Sequence, residues 1–572
     1  MALKTIFHDV QFCVIGGGLA GMGAAISAAR HGIKTLLMHE RPMPGGNASS
    51  EIRMWVCGSR QLLETGLIEE LRLENRFRNT QANYSIWDTI TYEMVAFQPN
   101  LTVLFNCSCL DATTENGRII SVRGHQQTTQ QFHEVKADMF ADCSGDSILA
   151  PLTGAEFRVG REAKSEFSET LAQDTPDNHT MGMSCLLQTR EKTTPQKFIS
   201  PKWAHKYPTE ESFPARRHGM GPTTNFWWVE LGGMADSIAD TESLRDELLK
   251  TMIGIWDHMK NHGDHGVDNF AVDWIGFLPG KRESRRYVGD YMLNQNDILS
   301  GKIFHDAVAY GGWPIDDHHP GGIAHRGTAN TNIVPEKPYT IPLRSLYSKN
   351  IENLLFAGRN ISASHTALSS TRVMATCMLL GQAAGTAASV ALKKQKTIRQ
   401  AAQEDYGEIQ QLLLDDDCTI PGVYRKIASG VMEAQFSSNC GDPELLRNGV
   451  DRDYEGEENF WCGKKGDRVT CEYPSPRDFT SIRLVFDSDL EFRKSNNRHL
   501  NLPANYFLNA PGLTPPETIM ESFAIIADGK EIFRTTENHQ RLVKLELSFT
   551  AQKVEFLPLD GTAKKLFAFE IR

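Results

Sequence analysis

The sequence predicts an α/β chain: a doubly wound, dinucleotide-binding domain interrupted by an inserted α+β domain and followed by an all-β sandwich. Three observations carry that expectation. Residues 9–40 read strand, glycine turn, helix, strand, acid. Residues 353–394 return to a buried strand and a long helix of small residues. Residues 431–572 break into short alternating segments punctuated by Pro, Gly, Asn and Asp. At 572 residues the chain is too long for one core. The expected boundaries are 1–160 for the first part of the nucleotide domain, 161–340 for an inserted substrate or cap domain, 341–430 for the return segment, and 431–572 for the sandwich.

The opening unit justifies the first domain. An apolar run, Phe12 to Ile15, enters Gly16, Gly18 and Gly21 in GxGxxG spacing, and Ala24, Ala25, Ala28 and Ala29 follow on one helix face. Gly16 permits the tight turn, Gly18 lets backbone approach a pyrophosphate, and Gly21 lets helix and strand pack closely. The helix N-terminus offers free N–H groups and a positive dipole end. A second apolar run, Thr35 to Met38, ends at Glu40, placed where a carboxylate takes ribose hydroxyls. The whole unit reads as Rossmann-like. Leu101–Cys109, Gly117–Arg123 and Glu134–Phe140 read as further strands, the last ending in a small-residue turn, Asp142 to Asp146.

Residues 161–340 lack that rhythm. Met183–Gln188 and Phe226–Leu231 read as strands, and Leu244–His262 as an amphipathic helix. The nucleotide domain resumes with the strand Asn353–Ala357 and a helix from Thr371 to Leu392, whose Lys393 and Lys394 suit its C-terminal dipole. Beyond residue 430, strands are expected at Ser481–Phe486, Phe523–Asp528, Leu542–Leu547, Lys553–Leu557 and Leu566–Ile571. Phe460 and Trp461 read as core aromatics in preference to an exposed sugar-stacking pair.

A net charge of −11 gives no reason to expect nucleic acid or an anionic membrane as partner. No apolar run approaches the roughly 20 residues that span a bilayer. The first strand begins too early to leave room for a leader, so the expected compartment is the cytoplasm, or the periplasm if a leader has been removed. The 11 cysteines lack any CxxC and read as free thiols, with a bridge among Cys440, Cys462 and Cys471 open only for an exported protein.

These residues carry a family resemblance. Gly16–Glu51, Asp142–Glu162, Pro279–Tyr291 with Asp306–Gly322, and Leu354–Ala388 resemble the FAD-dependent oxidoreductases of the glutathione-reductase-type flavoprotein class, and within it those of carbohydrate-degrading bacteria. The resemblance implies FAD as cofactor. It places Gly16, Gly18, Leu19, Ala20, Gly21 and Glu40 on the ADP half, with Arg41 beside the ribose. Gly45, Gly46, Asn47 and Ser49 would pass the pyrophosphate and ribityl chain. Asp142 to Gly145 stands where the class often has an Ala-Thr-Gly turn, here Cys-Ser-Gly, which puts Ser144, Gly145 and Asp146 among the expected cofactor residues. Gly358 and Arg359 stand at a Gly-Asp position, with Arg359 replacing the Asp that commonly takes the ribityl hydroxyls. Thr371, Arg372, Val373 and Met374 would open the helix whose positive end faces the flavin pyrimidine and stabilises the anionic reduced flavin. The C-terminal segments are similar to galactose-binding-like modules in texture.

There is no second GxGxxG in strand–turn–helix context, so no nicotinamide domain is evident. The organic substrate is expected to reduce the flavin, and an unidentified acceptor to reoxidise it. The reaction implied is oxidation of a secondary hydroxyl, on a sugar or glycoside, by hydride transfer to flavin N5. Such chemistry needs a base beside the hydroxyl, and His318, His319 and His365 are the candidates. Arg326, Arg372, Glu51 and Arg53 are candidate substrate-binding residues. Two alternatives stay open: reaction at a carbon–carbon bond beside a carboxylate, which a paired-Arg clamp would favour, and a non-catalytic carbohydrate-binding or scaffolding protein on a vestigial FAD fold. The run Arg282, Glu283, Arg285, Arg286 reads as a solvated or domain-interface ion-pair network. His258 and His262, with His265 beyond, have zinc-like helical spacing, but the Glu of the metalloprotease motif is lacking, and no metal is expected. The expected partners are a small molecule, with a carbohydrate as one option, the unidentified electron acceptor and, as an open option, further copies of the chain.

Overall fold

A computed structural model describes residues 3–212, 216, 218–221, 224–453, 457–488, 490 and 505–572. The chain forms two compact units, one of residues 1–64, 82–409 and 497–512, the other of 65–81, 410–496 and 513–572.

The first unit is organised by a seven-stranded mixed sheet. Strand β1 (Thr5–Ile15) enters the glycine turn, helix α1 (Leu19–Arg30) leaves it, and β2 (Thr35–Met38) returns parallel to β1. Strands β3 (Leu101–Leu104), β4 (Cys107–Glu115), β5 (Arg118–Gln126), β6 (Gln131–Asp142) and β7 (Leu354–Phe356) complete it in the order β3-β2-β1-β6-β5-β4. The C-terminal end of β6 also pairs with β7, Phe140 to Asp142 against Leu354 to Phe356. The β1, β2, β3, β6 and β7 pairings are parallel, and β4 and β5 add an antiparallel meander. Parallel strands align their C-termini, so the turns after β1, β6 and β7 meet at one edge, where α/β sheets bind ligands.

Helix α2 (Met374–Lys393) packs along α1 at backbone contact. A Cβ on Gly381 would lie 1.9 Å from the Ala20 carbonyl oxygen, and one on Gly385 2.2 Å from that of Ala24. By length and composition α2 could cross a bilayer, contrary to the expectation that no segment approaches that, yet 94% of its apolar window is buried inside the protein. It is a core helix whose small residues permit the close approach. It begins at Met374 because a short helix, His365–Thr371, ends first and the chain bends at Arg372 and Val373.

The inserted region is built on the helix Thr241–Asn261, whose buried Leu248, Met252, Ile255 and Trp256 pack with Phe226 and Val229. The strand expected at Phe226–Leu231 does not form. Phe226 has φ +60° and starts a turn closed by the Val229 N–H donating to its carbonyl at 2.9 Å, so the apolar run buries itself without a ladder. The expected strand Met183–Gln188 is two short ones, Met183–Ser184 and Leu187–Glu191. The run Arg282 to Arg286 is an ion-pair network, as expected, but a buried one: Arg282 pairs with Glu230, Glu283 with His365 and Arg286 with Glu162.

The second unit holds a seven-stranded antiparallel sheet centred on Val469–Phe486 and Leu542–Pro558. The two strands expected at Leu542–Leu547 and Lys553–Leu557 are one continuous strand. Trp461 is fully buried in its core, as the core reading required. All 11 cysteines are free thiols, and the optional bridge among Cys440, Cys462 and Cys471 is absent.

Candidate active site

A cavity of ≈ 480 Å³ opens along the C-terminal edge of the β1–β6–β7 strands. At one end lie Gly16, Gly18, Leu19, Ala20, Glu40, Arg41, Gly45, Gly46 and Asn47. Ser144, Gly145, Asp146, Gly358 and Arg359 line its middle, and Arg372, Val373 and Met374 its far side.

The first end has the form of a diphosphate cradle. No side chain caps α1 at Gly18, so its first-turn N–H groups have no side-chain acceptor. A Cβ on Gly16 would lie 2.5 Å from the Ser144 backbone, and one on Gly21 1.7 Å from the Gly16 carbonyl oxygen; these two glycines serve packing. A Cβ on Gly18 would meet nothing nearer than the Gly46 Cα at 3.9 Å, so the space above it is open to a ligand. The Gly45 N–H donates to the Gly17 carbonyl at 2.8 Å and clasps the second glycine turn to the first. His39, which sequence reasoning passed over, fixes the floor: Gly17 N–H donates to its Nδ1 at 2.9 Å, and Nε2–H donates to the Met43 carbonyl at 3.0 Å. Burial lowers its pKa, and the ring is neutral. Glu40 stands at the rim with its carboxylate half exposed, 3.7 Å from Arg41. This donor set fits FAD: bare N–H groups for phosphates, a rim carboxylate for ribose, and a channel running on past β6 and β7.

Three expected cofactor residues act from behind the wall. Gly21 packs the turn, and Ser49 donates its hydroxyl to the Gly46 carbonyl at 2.8 Å. Thr371 is buried at the end of its short helix. Arg359 pairs with Asp146 at 2.6 Å and donates to Ser284 Oγ at 2.9 Å, and Lys281 also reaches Asp146, at 2.7 Å. Burial opposes ionisation of Asp146, but the two cations outweigh it and hold the carboxyl well below the usual range. Where an Asp was the common residue, the chain supplies a guanidinium tied to a carboxylate from the neighbouring turn.

The far end holds the reactive groups. The strand Ile315–His318 pairs with Asn330–Ile333. Strand alternation sends Asp316 and His318 to one face and Asp317 to the other. His318 is buried with Nδ1 2.6 Å from Glu230 and Nε2 3.2 Å from Asp316. Burial works against its charge, yet the Glu230 carboxylate, backed by Asp316, outweighs it and raises the pKa. Asp316 accepts from Asn330 and from Arg372, whose guanidinium also donates to the Asp316 carbonyl at 2.9 Å. Burial penalises the Asp316 carboxylate, but His318 and Arg372 hold it well below its ordinary value. Arg282 is buried 3.5 Å from Glu230 and donates to the Trp227 carbonyl at 2.8 Å. Trp227, Trp313, Asn330 and Asn332 finish the wall.

The other expected catalytic and substrate residues lie elsewhere. His319 projects outward, exposed, and stacks on His325 at 3.5 Å between ring centroids. Arg326 is exposed. His365 is buried between Glu283, 2.9 Å from Nδ1, and Asp317, 3.0 Å from Nε2. Burial opposes its charge, but these two carboxylates push its pKa up to about 10, which makes it a fixed cation of the core. Arg53 lies over the Trp274 ring at 4.5 Å and donates to Gln188 at 2.7 Å, and Glu51 lies 3.9 Å from Arg41. Of these candidates, His318 and Arg372 line the cavity. Glu230, Asp316 and Asn330 were missed; reading Ile315 to His318 as a strand would have put Asp316 beside His318.

The chain belongs to the FAD-dependent oxidoreductase family, whose family model, described as FAD dependent oxidoreductase, matches residues 11–413. It is therefore an FAD-dependent enzyme. A glycerol-3-phosphate dehydrogenase from Mycobacterium leprae (strain TN) is 39% identical over 78 residues, a stretch covering 13% of this chain and 13% of that one. The chain thus spans a small part of that curated relative. Among solved structures, a geranylgeranyl bacteriochlorophyll reductase-like protein from Thermoplasma acidophilum is similar at 12% identity, covering 72% of this chain and 86% of that one, with TM-score 0.31. The family 32 carbohydrate-binding module of EndoD from Streptococcus pneumoniae is similar at 14% identity, covering 24% of this chain and 94% of that one, with TM-score 0.18.

Proposed function

We propose that the enzyme oxidises a secondary hydroxyl of a polyhydroxylated substrate, a sugar or glycoside. The observation that carries this is the Glu230–His318–Asp316 array at the far end of the FAD cavity, beside the Trp227 and Trp313 rings and the amides of Asn330 and Asn332. When bound, FAD supplies a two-electron acceptor, and its reduced form is favoured by the positive end of α2. The protein's own residues handle the proton. Once His318 is deprotonated, Glu230 keeps its hydrogen bond from Nδ1–H and so orients the ring. The longer contact to Asp316 opens, and Nε2 accepts the hydroxyl proton. The Trp rings suit the apolar faces of a sugar, and the amides suit its hydroxyls. Assignment to the glutathione-reductase-type class, and to carbohydrate breakdown, is part of the same proposal. The name of the Mycobacterium leprae protein, a dehydrogenase of a hydroxyl-bearing compound, supports a hydroxyl as the target.

The alternative, chemistry at a carbon–carbon bond beside a carboxylate, draws on Arg282 and Arg372, which both face the cavity. Each is already engaged, Arg282 with Glu230 and Arg372 with Asp316, so they form no open anion clamp. Anaerobic titration of the FAD-loaded enzyme separates the readings. Sugars or glycosides are expected to bleach the visible flavin absorption; if carboxylic acids alone do so, the sugar assignment is wrong.

A further inference from the structure

The inserted region gathers a second cluster, none of whose members lines the FAD cavity. His258, in the last turn of the helix Thr241–Asn261, is fully buried, with Nδ1 2.7 Å from the Tyr207 carbonyl. A carbonyl only accepts, so Nδ1 holds a proton and Nε2 is the nitrogen turned to the cluster. That Nε2 lies 3.2 Å from Glu210 Oε1. Nε2 of His265, in the loop beyond the helix, lies 3.5 Å from the same oxygen, and Nε2 of His218 lies 3.4 Å from Oε2. One ligand atom from each of the four residues fits within 4.8 Å of all the others. Nε2 of His265 is buried and makes no hydrogen bond. A Cβ on Gly263 would come within 2.8 Å of that nitrogen, so glycine there keeps its place clear.

Three imidazole nitrogens and one carboxylate converge on one point, and with Nδ1 engaged by the Tyr207 carbonyl it is Nε2 of His258 that faces the others. In a metal site the Nδ1–H···O=C bond would be the outer partner that orients a metal-bound imidazole. Tetrahedral zinc with bonds of about 2.0–2.1 Å sets its ligand atoms about 3.3–3.4 Å apart. The two distances to Oε1, 3.2 Å from His258 and 3.5 Å from His265, bracket that edge, and His218 Nε2 lies 3.4 Å from the other oxygen of the same carboxylate.

We propose that Glu210, His218, His258 and His265 form a zinc site, three imidazole nitrogens and one carboxylate oxygen. With four protein ligands the site is closed and structural. It pins the residues that carry Glu210 and His218 to the end of the helix. His262, the partner of His258 by helical spacing, is not a ligand: it is exposed, with its ring centroid 6.5 Å from that of His258.

The test uses the untagged, FAD-loaded enzyme. Mass-spectrometric metal analysis should find one zinc per chain. After removal by a chelator, added Co²⁺ should produce the intense visible bands of tetrahedral Co²⁺. His265→Ala and Glu210→Gln should each abolish those bands and weaken zinc binding at least tenfold, with FAD content unchanged, whereas His262→Ala should keep both. If His265→Ala fails to retain FAD, Glu210→Gln, made at an exposed side chain, decides. A wild-type enzyme that takes up neither metal stoichiometrically overturns the proposal, as does a tetrahedral Co²⁺ spectrum that survives Glu210→Gln. The first result would mean that the cluster is an imidazolium–carboxylate pair.

Discussion

His318 has both ring nitrogens facing carboxylates, and that single fact sets how the site responds to pH. Glu230 and Asp316 favour the protonated ring, so the base needed for hydroxyl oxidation becomes available only above the ordinary histidine value of 6.5. The expected kcat/KM rises with pH through an apparent pKa above that value. His318→Asn should lower kcat by about 10²–10⁴-fold while FAD stays bound, which steady-state kinetics and the flavin spectrum together would show. His365 differs in kind. Removing this buried cation takes the ion pair from Asp317 and leaves Glu283 with Arg286, at 3.4 Å, and the Met181 N–H, so His365→Gln should cost about 3 kcal/mol of stability. Its raised pKa makes that contribution fully present below the unfolded value of 6.5, and it is lost as pH rises through about 10. Urea unfolding of wild type and variant should therefore converge toward the alkaline end. The sequence singled out both histidines but not their division of labour. His318 and His319 are neighbours in sequence and opposites in space, because a strand alternates its side chains. Glu230, which orients His318, is 88 positions away, and no local pattern links the two.

At the scale of elements, the glycines sort by what stands over them. Gly18 has φ −65° and open space above it, so Gly18→Ala should melt like wild type yet lose FAD, because the added methyl occupies the phosphate's place. Gly385 faces the α1 backbone, so Gly385→Ala should push α1 and α2 apart and cost about 1–3 kcal/mol, read in a thermal melt. The paired measurements separate cradle from scaffold. These elements were legible in the sequence because each depends on near neighbours: the opening β–α–β unit, the small residues of α2 and the acid at position 40 all lie within short windows. The strand expected at Phe226–Leu231 failed for the converse reason. Its apolar residues are held by the helix Thr241–Asn261, so burial rather than ladder pairing decides their shape. The charge run at Arg282 was legible as an ion-pair network but not as a buried one, since local composition does not reveal whether Glu162, Glu230 and His365 will fold over it.

At the scale of the whole molecule, neither compact unit is a continuous length of chain. The second unit takes the helix Leu67–Arg78 from early in the sequence and joins it to strands from the end. Within that unit, buried Glu69 accepts from Arg452, and Arg452 and Arg541 both reach Asp417. Burial opposes the Glu69 charge, but Arg452 and Arg541 outweigh it and lower its pKa. Arg452→Met should cost about 3 kcal/mol, because it leaves buried Glu69 with the Ser488 hydroxyl and a more distant Arg541 at 4.0 Å, and should lower the midpoint of a circular-dichroism melt without altering the flavin spectrum. Truncation near residue 430, where composition changes, would remove the partner of Glu69 and so would not yield a clean fragment.

That pairing also has a consequence in time. Glu69 and Arg452 are 383 residues apart in the chain. At a synthesis rate of roughly 5–20 residues per second, the helix bearing Glu69 emerges from the ribosome about 20–80 s before its counter-ion exists. Through that interval the nascent second unit has a charged, half-apolar helix with nothing to shelter it, which makes this segment the one a chaperone would be expected to hold.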